Sequence, residues 1–169
     1  MAIEIVGDNY FGHWEKERTA CRGIVVESGR ILLSYETVTD QWMIPGGGLE
    51  EGESDGACCV REFSEETGLL IRPTNCVLEI DEYYEEWKYI SRYFRGEIIG
   101  RAERKLTERE AQVGMEPRWL PVEEALAVFS RHDDYARTDE MRRGMYLREY
   151  TALSALLGDP GQHRAARGR

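Results

Sequence analysis

The chain has 169 residues, a net charge of −10 and a hydrophobic share of 41%. This length suits one domain with a core of useful size, which we expect over residues 1–157, followed by a disordered Gly-, Ala- and Arg-rich tail over 158–169. The negative charge repels polyanions and therefore excludes a broad nucleic-acid-binding surface. A phosphate-bearing small substrate needs local positive charge, which a bound divalent cation would supply.

The cysteines and the apolar pattern point to the cytoplasm. The four cysteines include no C-x-x-C pair, so a zinc site has little support and reduced thiols are expected. The chain contains no apolar run of about 18 residues and no basic leader followed by an apolar run. We expect a cytoplasmic protein without a membrane segment, and the sequence leaves open whether it forms a homodimer.

Strands are predicted first along the chain, in segments rich in apolar and β-branched residues. They cover residues 3–6, 19–27 and 30–36, and a short apolar segment over 42–44 follows and ends at Pro45. The turn signal Ser28-Gly29 predicts that the second and third of them form a hairpin.

A helix follows three glycines and an acidic loop. Ser54 is suited to cap its N-terminus, Asp55–Thr67 forms its body and Gly68 ends it. The remaining elements are strands over 77–84, 87–99 and 119–120, a charged loop over 100–116, and helices over 121–129 and 139–157. Interspersed strands and helices predict an α/β or α+β fold in layers.

Three carboxylates share one face of the helix over Asp55–Thr67. At about 100° per residue, Glu62, Glu65 and Glu66 fall within a narrow arc, and an apolar face lies opposite. The predicted apolar face consists of Ala57, Val60, Phe63 and Thr67. Like charges at this spacing repel, and a hard cation such as Mg²⁺ or Mn²⁺ would turn the repulsion into coordination. Taken alone, the glutamates favour a solvated acidic face over a metal site.

The residues around these glutamates form a pattern of fixed spacing. Gly47 is followed after five residues by Glu53 and, after seven more, by Arg61-Glu62-Phe63-Ser64-Glu65-Glu66-Thr67-Gly68-Leu69. The segment resembles the Nudix box, G-x5-E-x7-R-E-U-x-E-E-x-G-U with U a bulky apolar residue, the signature of the Nudix hydrolase family. All fixed positions match. Phe63 stands where the family usually has an aliphatic residue.

The resemblance implies an α/β/α sandwich with a mixed sheet between helices. It also implies a Mg²⁺-dependent pyrophosphohydrolase, with Mn²⁺ as an alternative ion, that cleaves a phosphoanhydride bond of a nucleoside diphosphate derivative. A nucleoside triphosphate or oxidised nucleotide is favoured because the chain is short. The alternatives are a diadenosine-polyphosphate or ADP-ribose type of hydrolase, and a non-catalytic nucleotide-sensing module. The presence of every expected carboxylate favours an enzyme.

The resemblance also assigns roles within the box. Glu62, Glu65 and Glu66 match the family's metal-binding glutamates, and either Glu62 or Glu66 would activate water. The backbone carbonyl of Gly46 matches a further ligand. Arg61 and Glu53 match a pair that holds the loop against the helix, which suits a bidentate Arg–carboxylate contact.

Residues outside the box are less determined. Some family members use another carboxylate from the loop before the strand at Trp119, and the candidates are Glu116, then Glu110 and Glu108. For the substrate, Arg22 and Arg92 would reach phosphates, and Tyr84 would stack on a base. Equally, the arginines would be surface residues and the tyrosine would pack on the sheet.

Overall fold

A computed structural model describes residues 1–158, so all of the predicted tail except Gly158 lies outside the described residues. Within that range the strands are β1 (Ala2–Val6), β2 (Lys16–Ile24), β3 (Val26–Glu27), β4 (Arg30–Glu36), β5 (Gln41–Met43), β6 (Gly46–Gly48), β7 (Leu69–Tyr84), β8 (Trp87–Arg101) and β9 (Met115–Pro121). The helices are α1 (Asp55–Thr67), α2 (Glu108–Gln112), α3 (Val122–Ser130) and α4 (Glu140–Leu157), with a 3₁₀ turn at His132–Tyr135. Among the helices formed by these residues, none is both long and apolar enough to cross a membrane.

The strands form two sheets. The larger has the order β1-β7-β8-β2-β6, with β1 parallel to β7 and β2 parallel to β8, whereas β7 pairs with β8 and β2 with β6 in antiparallel fashion. In the smaller sheet, β4 pairs with β9 along its whole length and with β3 and β5 at its two ends. The larger sheet is therefore mixed, as predicted.

Helices cover both faces of the larger sheet. Because side chains alternate along a strand, β2 directs Cys21 towards one face and Ile24 towards the other. The first face packs on α1, with Cys58, Cys59 and Phe63 in the contact. The second face packs on α3 and α4, with Phe129, Tyr146 and Leu153 in the contact. This arrangement confirms the predicted α/β/α sandwich.

The helix α1 has the predicted limits. The Ser54 side chain accepts a hydrogen bond of 3.2 Å from the Ala57 backbone N–H, which caps the N-terminus of α1. At the other end, Gly68 adopts a left-handed conformation with φ of 73°, which suits glycine. Both signals act within a few residues, which is why the sequence predicted them.

Two predicted elements are wrong. The hairpin of 19–27 with 30–36 is limited to β3 and β4, because β2 is an interior strand whose two edges pair with β8 and β6. The loop over 100–116 contains the short helix α2. Its N-terminus carries a capping box, in which the Thr107 side chain accepts from the Glu110 backbone and the Glu110 side chain accepts from the Thr107 backbone.

Candidate active site

Arg61 joins the helix α1 to the glycine-rich loop. Its guanidinium donates two hydrogen bonds to Glu53, of 2.8 Å from Nε and 2.9 Å from Nη2. It also donates to Glu62 at 2.8 Å and to the Gly48 carbonyl at 3.0 Å. The hydrogen bonds from Arg61 lower the pKa of Glu53 to about 2. The Glu53–Arg61 pair is thus placed as the box resemblance implies, although its functional role stays a prediction.

Glu62 lies directly against the backbone of Gly47. A β-carbon built on Gly47 would overlap the Glu62 carboxylate, so only glycine leaves room for this approach. Burial raises the pKa of Glu62, while the hydrogen bond and charge of Arg61 oppose that rise. The carboxylate is therefore held between a loop backbone and a guanidinium, and only 16% of the side chain is exposed.

Glu66 is not on a solvated face, which corrects the predicted division of α1. Only 3% of the residue is exposed, whereas Ala57, which was predicted to face inward, is exposed. The Ser34 hydroxyl of β4 donates a hydrogen bond of 2.7 Å to Glu66 Oε2. Burial raises the pKa of Glu66 to about 8, against the effect of the Ser34 hydrogen bond. A buried carboxylate with a single protein donor is a group that a nearby cation would stabilise.

The carbonyl of Gly46 lies outside the sheet ladder. Backbone bonds from Gly23 N to Pro45 O and from Leu49 N to Thr19 O bracket the pairing of β2 with β6. Because bonded and non-bonded pairs alternate in an antiparallel ladder, the pair Arg22–Gly46 is a non-bonded one, and its carbonyls point away from the partner strand. Since β6 is the edge of its sheet, the Gly46 carbonyl is free to bind another group.

The donors suit a hard cation in their chemistry, although they are not gathered around a common point. Within residues 1–158, no group of three or more His, Cys, Asp or Glu side chains is close enough to hold a metal ion. Arg61 and Ser34 hold Glu62 and Glu66 instead, and Glu65 lies 3.5 Å from Arg61. All of the candidate donors are oxygen atoms, which Mg²⁺ and Mn²⁺ prefer.

A family model described as NUDIX domain matches residues 17–141. The chain belongs to the Nudix family. The match covers β2 to the start of α4. It therefore includes Arg61, the three glutamates of α1 and the glycines of β6.

Sequence comparison finds relatives among the diphosphoinositol polyphosphate phosphohydrolases. Diphosphoinositol polyphosphate phosphohydrolase 2 of Mus musculus is 30% identical over 122 residues, and the match covers 69% of this chain and 64% of that protein. The 3-beta form from Homo sapiens is 29% identical over 121 residues, covering 69% of this chain and 71% of that protein. The chain thus spans less than two thirds of the mouse relative's length.

Solved structures share the fold. The Nudix hydrolase from Nitrosomonas europaea has a TM-score of 0.56 and 21% identity, covering 81% of this chain and 90% of its own. The mutator MutT protein from Bacillus halodurans has a TM-score of 0.53 and 25% identity, covering 65% of this chain and 72% of its own. The first of these, at its low identity, supports the fold alone.

In this Nudix chain, the structure distinguishes the carboxylates outside the box. Burial is the main cause of the raised pKa of Glu62 and of Glu66, and the charge of Glu110 in α2 raises both further. Glu116, the first candidate by sequence, instead accepts a hydrogen bond of 2.6 Å from Arg118 on the same strand. Glu108 is exposed and bonds with Gln112. The structure therefore favours Glu110, although its role stays a prediction.

The three candidate substrate residues of this Nudix chain lie in different places. Arg92 donates to Glu79 at 2.8 Å and to Asp55 at 2.9 Å, so carboxylates already occupy its guanidinium. Arg22 is the strand partner of Gly46 and 12% of its side chain is exposed. Their substrate-binding roles stay predictions.

Tyr84 is remote from the box. Its ring fills the space above Gly7, its hydroxyl lies beside Gly144, and burial raises its pKa to about 12. Its partner on β8 is Trp87, whereas that of Arg22 is Tyr93, which separates the two levels of the sheet by roughly 20 Å. The position favours packing, and stacking on a substrate stays a prediction.

The sequence analysis assigned no role to Ser34, which bonds with Glu66, or to Glu149, which bonds with the backbone of Ile44. Ser34 interrupts the apolar run Ile31-Leu32-Leu33, and a polar residue at that point is a signal of a buried hydrogen bond. Glu149 is completely buried in α4, and Ile44 donates its backbone N–H to it at 3.3 Å. A carboxylate within a helix has no comparable signal in the sequence, because glutamate is common on exposed helix faces.

Proposed function

We propose that this protein is a Mg²⁺-dependent pyrophosphohydrolase that cleaves a phosphoanhydride bond of a nucleoside diphosphate derivative. A nucleoside triphosphate or an oxidised nucleotide is the favoured substrate. The observation that carries the proposal is the position of Glu62, packed on Gly47 and held by Arg61, with the buried Glu66 one turn further along the same helix. Such an arrangement places carboxylates beside a loop whose backbone can approach phosphate groups.

The proposed ligands of the ion are the carboxylates of Glu62, Glu65 and Glu66 and the carbonyl of Gly46, with Glu110 as a further carboxylate. When bound, the ion neutralises phosphate charge and lowers the pKa of an attacking water. Arg61 keeps the loop against α1 through Glu53 and Gly48, which preserves the distance between the carbonyl and the carboxylates.

Glu66 is the general base that the structure favours over Glu62. Burial raises the pKa of Glu66 in the metal-free protein, and as a proposed neighbour of the ion this carboxylate would take the proton from the attacking water. Ser34 occupies Oε2, which leaves Oε1 to accept the proton. Glu62 is less suited to this role because Arg61 is hydrogen-bonded to it and stabilises its ionised form.

A second candidate substrate is a diphosphate on a polyphosphorylated small molecule that is not a nucleotide. The observation that favours it is the 30% identity with diphosphoinositol polyphosphate phosphohydrolase 2. Diadenosine polyphosphates and ADP-ribose contain the same bond and belong in the same test. A sensing module without catalysis remains the alternative from another class.

The test is a substrate panel followed by phosphorus NMR. Purified protein is incubated with Mg²⁺ and, in turn, with nucleoside triphosphates, an oxidised nucleoside triphosphate, a diadenosine polyphosphate, ADP-ribose and a diphosphoinositol polyphosphate. Cleavage that stops in EDTA and in Glu62→Gln and Glu66→Gln, but not in the exposed control Glu124→Gln, is the expected result. Tight binding of one compound with no cleavage would instead identify a sensor.

The cytoplasmic location stays a prediction, and whether the protein forms a homodimer stays open. Sedimentation velocity across a range of protein concentrations measures the oligomeric state directly. A dimer would have to survive dilution to the working concentration of the assay to bear on activity.

A further inference from the structure

Two buried carboxylates and two largely buried arginines form a charged cluster between the larger sheet and α4. Arg148 donates to Glu149 at 2.7 Å and to Glu82 at 3.4 Å. Arg22 lies 3.9 Å from Glu149, at the near end of the same cluster. Glu149 is completely buried and Glu82 is 3% exposed. Buried ion pairs of this kind often add little net stability compared with apolar residues of similar size.

Glu149 reaches the loop that leads into the box. Its Oε2 accepts the Ile44 backbone N–H at 3.3 Å, and the Arg22 guanidinium donates to the Ile44 carbonyl at 3.5 Å. Both peptide groups of Ile44 are therefore held by side chains of the cluster. Ile44 precedes Gly46 by two residues, so its orientation determines how the chain enters β6.

The backbone of Gly46 packs closely against the neighbouring strand β2. A β-carbon there would lie 2.7 Å from the Cα of Arg22 and would overlap the Cys21 carbonyl, so the two backbones are in close contact. The strand β2 limits Gly46 from one direction, and Glu149 holds Ile44 from the other. The backbone on either side of the Gly46 carbonyl is therefore contacted by β2 and, through Ile44, by α4, a helix on the opposite face of the sheet from α1.

We propose that Glu149 is a positioning residue that holds the Gly46 carbonyl in its metal-binding direction through the backbone of Ile44. The inference rests on the proposed function, because the role of Gly46 as a ligand belongs to it. Groups beyond the ligands of a metal commonly alter its affinity by about tenfold or more when they are removed. Glu149 would act in this way, although it touches neither the ion nor the substrate.

The cluster offers a matched control. Glu82 and Glu149 are both buried carboxylates bonded to Arg148, but only Glu149 contacts Ile44. The double variants R148M/E149M and R148M/E82M each remove one arginine and one glutamate, so both keep the net charge. Because apolar residues can replace a buried pair without a large loss of stability, both variants are expected to fold.

The measurement is Mn²⁺ binding without substrate, followed by electron paramagnetic resonance. We expect R148M/E149M to bind Mn²⁺ roughly tenfold more weakly, with R148M/E82M close to the wild type. E149Q should keep most of the affinity, because its amide oxygen still accepts from Ile44. Thermal unfolding of each variant separates this effect from a loss of stability.

The outcomes distinguish the two proposals. Equal Mn²⁺ affinity in the two double variants would overturn the role of Glu149 while leaving the proposed function intact. A wild-type protein that binds no Mn²⁺ would overturn the proposed function itself, and the inference with it. If R148M/E149M does not fold, E149Q and E149M are compared instead, and equal affinity in that pair overturns the role of Glu149.

Discussion

Arg61 and Glu53 are joined by two parallel hydrogen bonds, of 2.8 and 2.9 Å, between the helix α1 and the loop that precedes it. The same guanidinium donates to Glu62 and to the Gly48 carbonyl. One side chain therefore determines the distance between the loop backbone and the helix carboxylate. The Glu62 position over Gly47 is a property of this clamp as much as of the helix.

The clamp should make stability depend on pH in the acid range. The hydrogen bonds from Arg61 lower the pKa of Glu53 from 4.5 to about 2. A carboxylate with a lowered pKa stabilises the folded state fully above about 4.5, and this stabilisation is lost as the pH falls from about 4.5 to about 2. Glu53→Gln should lower the free energy of unfolding at pH 7 by about 1–2 kcal/mol and flatten its pH dependence over that interval.

Urea unfolding at several pH values measures this effect. The matched control is Glu50→Gln, since Glu50 lies 3.7 Å from Arg61 but its side chain is 70% exposed. The control should resemble the wild type at every pH. If the free energy of unfolding of Glu53→Gln fell with pH between about 4.5 and about 2 as in the wild type, the stabilisation could not be assigned to this pair.

Glu66→Gln should stabilise the metal-free protein while abolishing turnover. Burial raises the pKa of Glu66 from 4.5 to about 8, so between these values the unfolded chain releases a proton that the folded chain keeps. The free energy of unfolding therefore falls as the pH rises through this interval. The amide keeps the Ser34 contact and removes the ionisation, and we expect a gain of about 1–3 kcal/mol at pH 8 and none at pH 4.

Thermal or urea unfolding in EDTA at the two pH values tests this prediction, with turnover measured in Mg²⁺. A variant less stable than the wild type at pH 8 would show that the ionised Glu66 carboxylate does not destabilise the folded protein. The exposed Glu124→Gln serves as the control for a generic loss of negative charge.

Gly47→Ala should reduce turnover without unfolding the protein. A β-carbon at Gly47 overlaps the Glu62 carboxylate, which must move away from its position. A displacement of about 1 Å in a catalytic group can cost roughly a hundredfold in rate.

The matched control is Gly56→Ala in the first turn of α1, where a β-carbon meets nothing within 4 Å. The control should retain activity and gain up to about 1 kcal/mol of stability, because alanine favours a helix. Equal turnover in the two variants would rule out a role for the Glu62 position.

Glu110→Gln should lower turnover, whereas Glu116→Gln should not. The charge of Glu110 acts on both Glu62 and Glu66, while Glu116 pairs with Arg118. Glutamine can replace glutamate in a capping box, so the N-terminus of α2 should stay intact. We expect a fall of roughly tenfold to a hundredfold for Glu110→Gln in steady-state assays with Mg²⁺. The opposite order of the two variants would favour Glu116 instead.

The helix α1 and its clamp were predictable because their signals are local. The cap at Ser54, the stop at Gly68 and the Glu53–Arg61 spacing all act within a short stretch of chain. The face of Glu66 was not predictable in this way. It depends on Ser34, which is 32 residues away in sequence, and on where α1 packs against the sheets. The hairpin prediction failed for the same reason, since β2 pairs with β8 and β6 and not with the next long strand along the chain.

By itself, the sequence determined the family and the limits of α1, because both follow from residue types at short, fixed spacing, and the resemblance to the Nudix box implied the pairing of Arg61 with Glu53. Only the tertiary structure decided that Glu66 is buried, that the charge of Glu110 acts on the box glutamates while Glu116 bonds with Arg118, and that Glu149 holds Ile44. These contacts join segments far apart in the chain. Their free energy depends on packing and on exclusion of water, which a local pattern of residues does not contain.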